Sequence, residues 1–184
     1  MEGPVQKTAV ARVLVLYFEA DARLLPVAQA VHAGATVAGA EATLMSYGQW
    51  VASGYQPSEG FYDLFFVEAD LAHMFSKHDI FAQTKGFAWG GRNVAPFAVC
   101  SNSKQSREAF KQVAADFERR GAVVRNTLTL NVKGNLSFLG KGRLEEIDFA
   151  RAKAFGERTV NYFIGKRVTQ PSEKAKIAGY KKQG

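Results

Sequence analysis

Val13-Leu14-Val15-Leu16-Tyr17-Phe18, followed by Glu19-Ala20-Asp21-Ala22-Arg23, decides the fold. An unbroken apolar run rich in β-branched and aromatic residues is what a strand buried on both faces of a parallel sheet requires. Residues 13–18 therefore read as the central first strand. In open α/β sheets the ligand sits outside the carboxyl ends of the strands, so the turn after Phe18 faces any site. A phosphate cradle at such a turn uses Gly, which lets backbone N–H groups approach the anion, and Ser or Thr, whose hydroxyls donate to it. Residues 19–23 contain none of these and carry two carboxylates, Glu19 and Asp21.

The 184 residues, 47% of them apolar, predict one compact domain with a full core. Cys100 is the only cysteine, so no internal disulfide forms, and a buried, inert thiol in a cytoplasmic setting is expected. The start of the chain has no signal-peptide pattern, and no apolar run reaches the roughly 18 residues that a spanning helix needs. The net charge of +7 is uneven. Residues 165–184 hold Lys166, Arg167, Lys174, Lys176, Lys181 and Lys182 against Glu173 alone, which leaves only +2 elsewhere. The body thus lacks the charge of a nucleic-acid-binding surface, and the excess marks the tail as the place where an acidic partner docks. That partner is expected to be a protein or larger complex, with an anionic membrane surface or nucleic acid as alternatives.

Onward from the first turn, Leu24–Gly34 reads as a helix with Pro26 in its first turn, where the missing N–H costs nothing. His32, late in that helix, is expected to serve a surface or C-terminal role. Ala42-Thr43-Leu44-Met45 gives an edge-like second strand, followed by a polar connection through Gly48, Gly54, Pro57 and Gly60. Tyr62–Val67 is the third strand and Val94–Cys100 the fourth. Ser101-Asn102-Ser103 caps a helix over Lys104–Arg120, where Phe110, Val113, Ala114 and Phe117 form a stripe ending at Gly121. Ala122–Leu130 is the fifth strand. Leu144–Ile164 is a long last helix with Ile147, Ala150, Ala154, Phe155 and Phe163 inward, and Gly165 and Pro171 predict its end. The alternation predicts an α/β fold, a parallel sheet wound on both faces. The organisation expected is an N-terminal extension over 1–10, a domain over 11–164 and a basic tail over 165–184.

This order of elements resembles the flavodoxin family over nearly all of residues 11–164. The closing stretch carries the resemblance best: a fifth strand, a Gly-containing loop (Lys133-Gly134 through Gly140-Lys141-Gly142-Arg143), then Glu145-Glu146-Ile147-Asp148 opening a helix that continues to Gly156. The resemblance implies a three-layer flavodoxin-like sandwich with a five-stranded parallel sheet in the order 2-1-3-4-5. It also implies FMN, held by loops after the first, third and fourth strands. Carried over, the FMN contacts are Phe18, Ala20, Ala22 and Arg23 in the first loop, Asp70 and Leu71 in the second, and Ser101, Asn102 and Ser103 in the third.

The first loop departs from the family's hydroxyl- and Gly-rich run, and the second, Glu68-Ala69-Asp70-Leu71, lacks its Pro-containing aromatic turn. A carboxylate about 5 Å from the FMN phosphate repels it by about 3 kcal/mol per charge pair at an effective dielectric of about 20. Each missing donor removes a charge-assisted hydrogen bond of about 1.5–3 kcal/mol. The expectation is weak or lost FMN binding and service as an accessory or binding subunit of a larger assembly. The alternative is an FMN-dependent electron-transfer protein or an NAD(P)H-dependent reductase, in which the flavin carries the electrons.

Other chemistries are weaker in the sequence. His73 and His78, with Glu68, Asp70 and Asp79 nearby, are five residues apart, about 140° around a helix, whereas metal ligands pair at i and i+3 or i+4. No metal is expected. Ser101 or Cys100 as a nucleophile lacks the Gly-x-Ser-x-Gly elbow. Trp89-Gly90-Gly91-Arg92 reads either as an exposed aromatic and basic patch or as a turn into the fourth strand.

Overall fold

The computed structural model describes residues 10–19, 24–53, 62–69, 71, 80–100, 104–132 and 143–169. Its strands are β1 (Arg12–Tyr17), β2 (Glu41–Ser46), β3 (Leu64–Glu68), β4 (Asn93–Cys100), β5 (Val123–Val124) and β6 (Leu128–Asn131). Its helices are α1 (Leu24–Val37), α2 (Tyr47–Ala52), α3 (Ile80–Gln83), α4 (Lys104–Arg119) and α5 (Glu146–Thr169). All strand pairs are parallel, in the order β2-β1-β3-β4-β5, with β6 also on β4. β1 is interior as expected, paired on both sides, although β3 holds the middle of the sheet.

The expected single fifth strand is two strands, which gives six in all. β5 pairs Val123 with Asn93 and Val124 with Val94, whereas β6 pairs Leu128 with Phe97, so the outer chain carries one extra residue, a bulge. Its cause lies on β4. Val94 and Cys100 accept from Arg125 and Val132 on the outer side, and by the alternation of the ladder Pro96 turns the same way. Proline has no N–H to give, so the rung is lost there. The interruption is fastened by side chains: Arg125 Nε donates to Asn93 Oδ1 at 2.7 Å, and Asn126 Nδ2 donates to Thr159 Oγ1 on α5 at 2.9 Å.

Side chains leave the sheet alternately, so both faces are apolar. Val13, Val15, Leu64, Phe66, Phe97 and Leu130 pack under α1 and α5. Leu14, Leu16, Phe65, Val67, Ala98 and Cys100 pack under an aromatic layer of Tyr47, Trp50, Trp89 and Phe117. In α4, Phe110, Val113 and Phe117 are buried at helical spacing. Gly121, at φ 81°, then ends the helix: its N–H returns to Glu118 and that of Ala122 to Phe117, a Schellman closure.

The last helix buries Phe155 and Phe163 as expected, and differs from expectation in its first turns and in its length. Ile147 and Ala150 face solvent, while Asp148, Ala152, Phe155, Gly156, Thr159, Val160 and Phe163 are inward. Asp148 accepts from Glu145 N–H at 3.0 Å, capping the helix, and that inward carboxylate sets the phase. The helix also continues through Gly165 to Thr169. Where it crosses α1 the backbones touch: a Cβ on Gly34 would meet Glu157 N at 2.9 Å, and one on Gly156 would meet Ala35 N at 3.1 Å. Only glycine permits that approach.

Candidate functional site

The carboxyl ends of β1, β2 and β3 form one rim. β2 runs directly into α2, where a polar connection was expected, because Ser46 and Gln49 make a capping box: Ser46 Oγ accepts from Gln49 N–H at 3.1 Å and Gln49 Oε1 from Ser46 N–H at 3.0 Å. The box brings Ser46, wholly buried, and Tyr47 to the rim. Ser46 Oγ also donates to a carboxylate oxygen of Glu19, the exposed residue next to Phe18. That carboxylate lies over Gly48, where an added Cβ would stand 3.2 Å from Glu19 Oε2.

Phe18 is buried, its ring stacked on Tyr47 with centroids 4.2 Å apart. The β1–β3 ladder ends at Leu16 and Val67. Beyond it, Phe18 N–H donates to Glu68 Oε2 at 2.8 Å, and the Tyr47 hydroxyl donates to the Glu68 carbonyl at 3.3 Å. Glu68 is not a loop residue, as the sequence implied, but the last residue of β3, with 0% of its surface exposed. Burial, and secondarily the Glu68 charge, push the Tyr47 phenol well above its ordinary value. Burial pushes the Cys100 thiol up to about 12, so it is the inert thiol expected.

Of the residues carried over from the resemblance, Phe18 and half-buried Leu71 reach the rim, both packed in the aromatic face. Ala20, Ala22, Arg23, Asp70, Ser101, Asn102 and Ser103 lie outside the described residues, as do His73 and His78. Lys166 and Arg167 fall on the last turns of α5, and Lys174, Lys176, Lys181 and Lys182 lie beyond the described residues. His32 Nε2–H donates to the Ala42 carbonyl at 3.1 Å, covering part of the open edge of β2. Trp89 is buried, and Gly90-Gly91 turn the chain into β4, which settles that stretch as a turn. Among the described residues no group of His, Cys, Asp and Glu gathers that can hold a metal ion, and no helix is long and apolar enough to cross a membrane.

Ser46 and Tyr47 were missed, although Ser46-x-x-Gln49 is a readable capping box. Glu68 was noticed, but its burial depends on an N–H that is 50 residues away.

A parallel sheet covered on both faces, with its polar rim at the carboxyl ends of the strands, defines a three-layer doubly wound α/β protein. Within that class the strand order and the α1–α5 layer give this chain the flavodoxin-like fold. It matches a diflavin flavoprotein A3 from Nostoc sp. with a TM-score of 0.61 at 14% identity, covering 87% of this chain and 97% of the other. It matches an oxidised flavodoxin 1 from Bacillus cereus with a TM-score of 0.59 at 14% identity, covering 82% of this chain and 97% of the other. A flavodiiron core from Synechocystis sp. PCC6803 gives 0.61 at 16% identity, with 86% of this chain matching 37% of that longer one. At such identities the likeness shows the fold alone. No family model matches the chain, and no curated protein matches it by sequence.

Proposed function

We propose that this is a flavodoxin-fold domain with weak or lost FMN binding, acting as an accessory or binding subunit of a larger assembly. The observation that carries this reading is the Glu19 carboxylate, anchored by Ser46 and lying over Gly48 at the mouth of the first turn. A flavin phosphate brought to that turn meets a fixed like charge where the fold ordinarily offers donors. Phe18 offers it no free ring face on the Tyr47 side. The described rim residues therefore do not fit the phosphate of FMN. Docking is assigned to the basic tail, residues 165–184, whose first cations, Lys166 and Arg167, lie on the last turns of α5. Its charge suits an acidic protein surface.

The visible spectrum of the purified protein tests the cofactor half. The expected result is no flavin absorbance and no saturable quenching of added FMN fluorescence; stoichiometric FMN surviving gel filtration overturns it. Deleting residues 170–184 tests the docking half. Salt-sensitive capture of an acidic partner should be lost with thermal stability unchanged. Binding instead to anionic vesicles or to nucleic acid would replace the protein partner with that surface. The second reading, an FMN-dependent electron carrier or reductase, is favoured by the likeness in fold to flavodoxins. Stoichiometric FMN would establish it in place of the first.

A further inference from the structure

We propose that the corner where the turn into β4 meets the end of α4 is a docking surface for an acidic segment of a partner protein, read by the guanidinium groups of Arg92 and Arg120. The inference deepens the reading of an accessory subunit given above and rests on it, but it places a contact on the domain itself, at the amino end of β4, rather than on the tail.

Backbone contacts hold this corner together. Gly91, at φ 73°, gives its N–H to the Gly121 carbonyl at 2.8 Å, and the Arg92 carbonyl accepts from Val123 N–H at 2.8 Å. Gly121 packs so closely that an added Cβ would stand 3.4 Å from Gly90 Cα. Arg92 and Arg120 are thereby carried on two segments that are bonded to each other. A row of aromatic rings joins them: Phe87, Trp89, Phe117 and Phe81, with successive centroids 4.7, 4.9 and 4.9 Å apart. A guanidinium lies over each end of the row, Arg92 over Phe87 at 5.8 Å and Arg120 over Phe81 at 4.1 Å.

Neither cation is neutralised. Among the described residues no carboxylate pairs with Arg92 or Arg120, and Asp116, one turn before Arg120, is taken by Arg119. Arginine is always charged, and one held over a ring keeps its N–H fork for a carboxylate while losing less freedom on binding it. Lys85, exposed on the preceding turn, adds a third cation, and exposed Val123 with half-buried Phe81 and Phe87 adds apolar surface. Arginine beside aromatic rings is the composition of a protein interface. The small charge excess outside the tail does not suit a phosphate backbone.

The test uses the full chain and a fluorescein-labelled oligoglutamate peptide. Arg92→Gln together with Arg120→Gln should weaken binding about tenfold, the loss of one charge-assisted hydrogen bond. Lys153→Gln together with Arg158→Gln removes the same charge from exposed sites on α5, across the sheet, and should weaken it less than about twofold. Equal weakening by the two pairs, or none by the first, overturns the proposal, because net charge and the tail then account for the binding. Tighter binding of an oligothymidylate or of phosphatidylserine vesicles, weakened by the first pair, overturns the choice of a protein partner. An NMR titration of the wild-type chain covers the case in which the first pair does not fold. The Nε–H signals of Arg92 and Arg120 and the amides of Gly91 and Gly121 should move with peptide; their standing still while tail amides move overturns the proposal. The accessory-subunit reading fails separately, through FMN retained by the wild-type protein.

Discussion

Replacing Gly156 with alanine adds one methyl group where α5 crosses α1. The new Cβ would fall well inside van der Waals distance of the Val31 carbonyl oxygen, and 3.1 Å from both the Val31 carbonyl carbon and Ala35 N. All three are backbone atoms of α1 and have no rotamer to yield, so the helices must separate by about 1 Å. A gap of that size forfeits about a quarter to a half of each contact along the seam, where Val27, Val31, Ala35, Ala152, Phe155 and Val160 meet. Overpacking of this kind costs about 3 kcal/mol, and the better helix propensity of alanine returns about 1 kcal/mol. The net loss of about 2 kcal/mol lowers the melting temperature by about 4–8 °C in a protein of this size. Gly165 is the internal control: it lies in the same helix with nothing within 4 Å of an added Cβ, so Gly165→Ala should raise the melting temperature by about 2–4 °C. Thermal unfolding followed by circular dichroism reads both. If the two variants shift together, the backbone contact at the crossing is not what Gly156 serves.

Two further predictions concern buried titratable groups. The native protein should not react with an aromatic disulfide reagent at pH 8, since burial holds the Cys100 thiol near 12, whereas one thiol per chain should titrate in guanidinium; rapid reaction in the native state would refute the burial. With folded values above the unfolded ones, both Cys100 and Tyr47 contribute stability below their ordinary values of 9.0 and 10.0 and lose it as pH rises through the folded values. Wild-type stability should therefore decline from about pH 9 upward, and Tyr47→Phe should decline less steeply above pH 10 while losing about 1 kcal/mol at neutral pH with its hydrogen bond to Glu68. Parallel pH curves for the two proteins would remove Tyr47 from the explanation.

What was legible in the sequence was what each segment states about itself. The apolar run 13–18 and the spacing of Phe110, Val113 and Phe117 before Gly121 gave β1 and α4 without outside information. What was illegible depended on a neighbour. Nothing in residues 122–130 says that the strand breaks at Arg125; the reason is Pro96 on the adjacent strand. Ile147 read as inward because it is apolar, but the phase of α5 follows from the capping carboxylate of Asp148 and the closeness of Gly156 to α1. In the candidate site the residue types were visible and their placement was not. Glu19 and Glu68 are the same side chain at the same end of the sheet, one exposed and one with no exposed surface.

That difference in burial sets how strongly each glutamate resists an anionic ligand. Glu19 faces solvent, so its repulsion of an approaching phosphate is screened, and salt weakens it further. Glu68 is shielded from both, and because it is tethered to β3 its effective concentration at the Phe18 N–H is at least of millimolar order. An incoming anion would have to displace that carboxylate and leave it buried without its donor, which costs more than the single hydrogen bond gained.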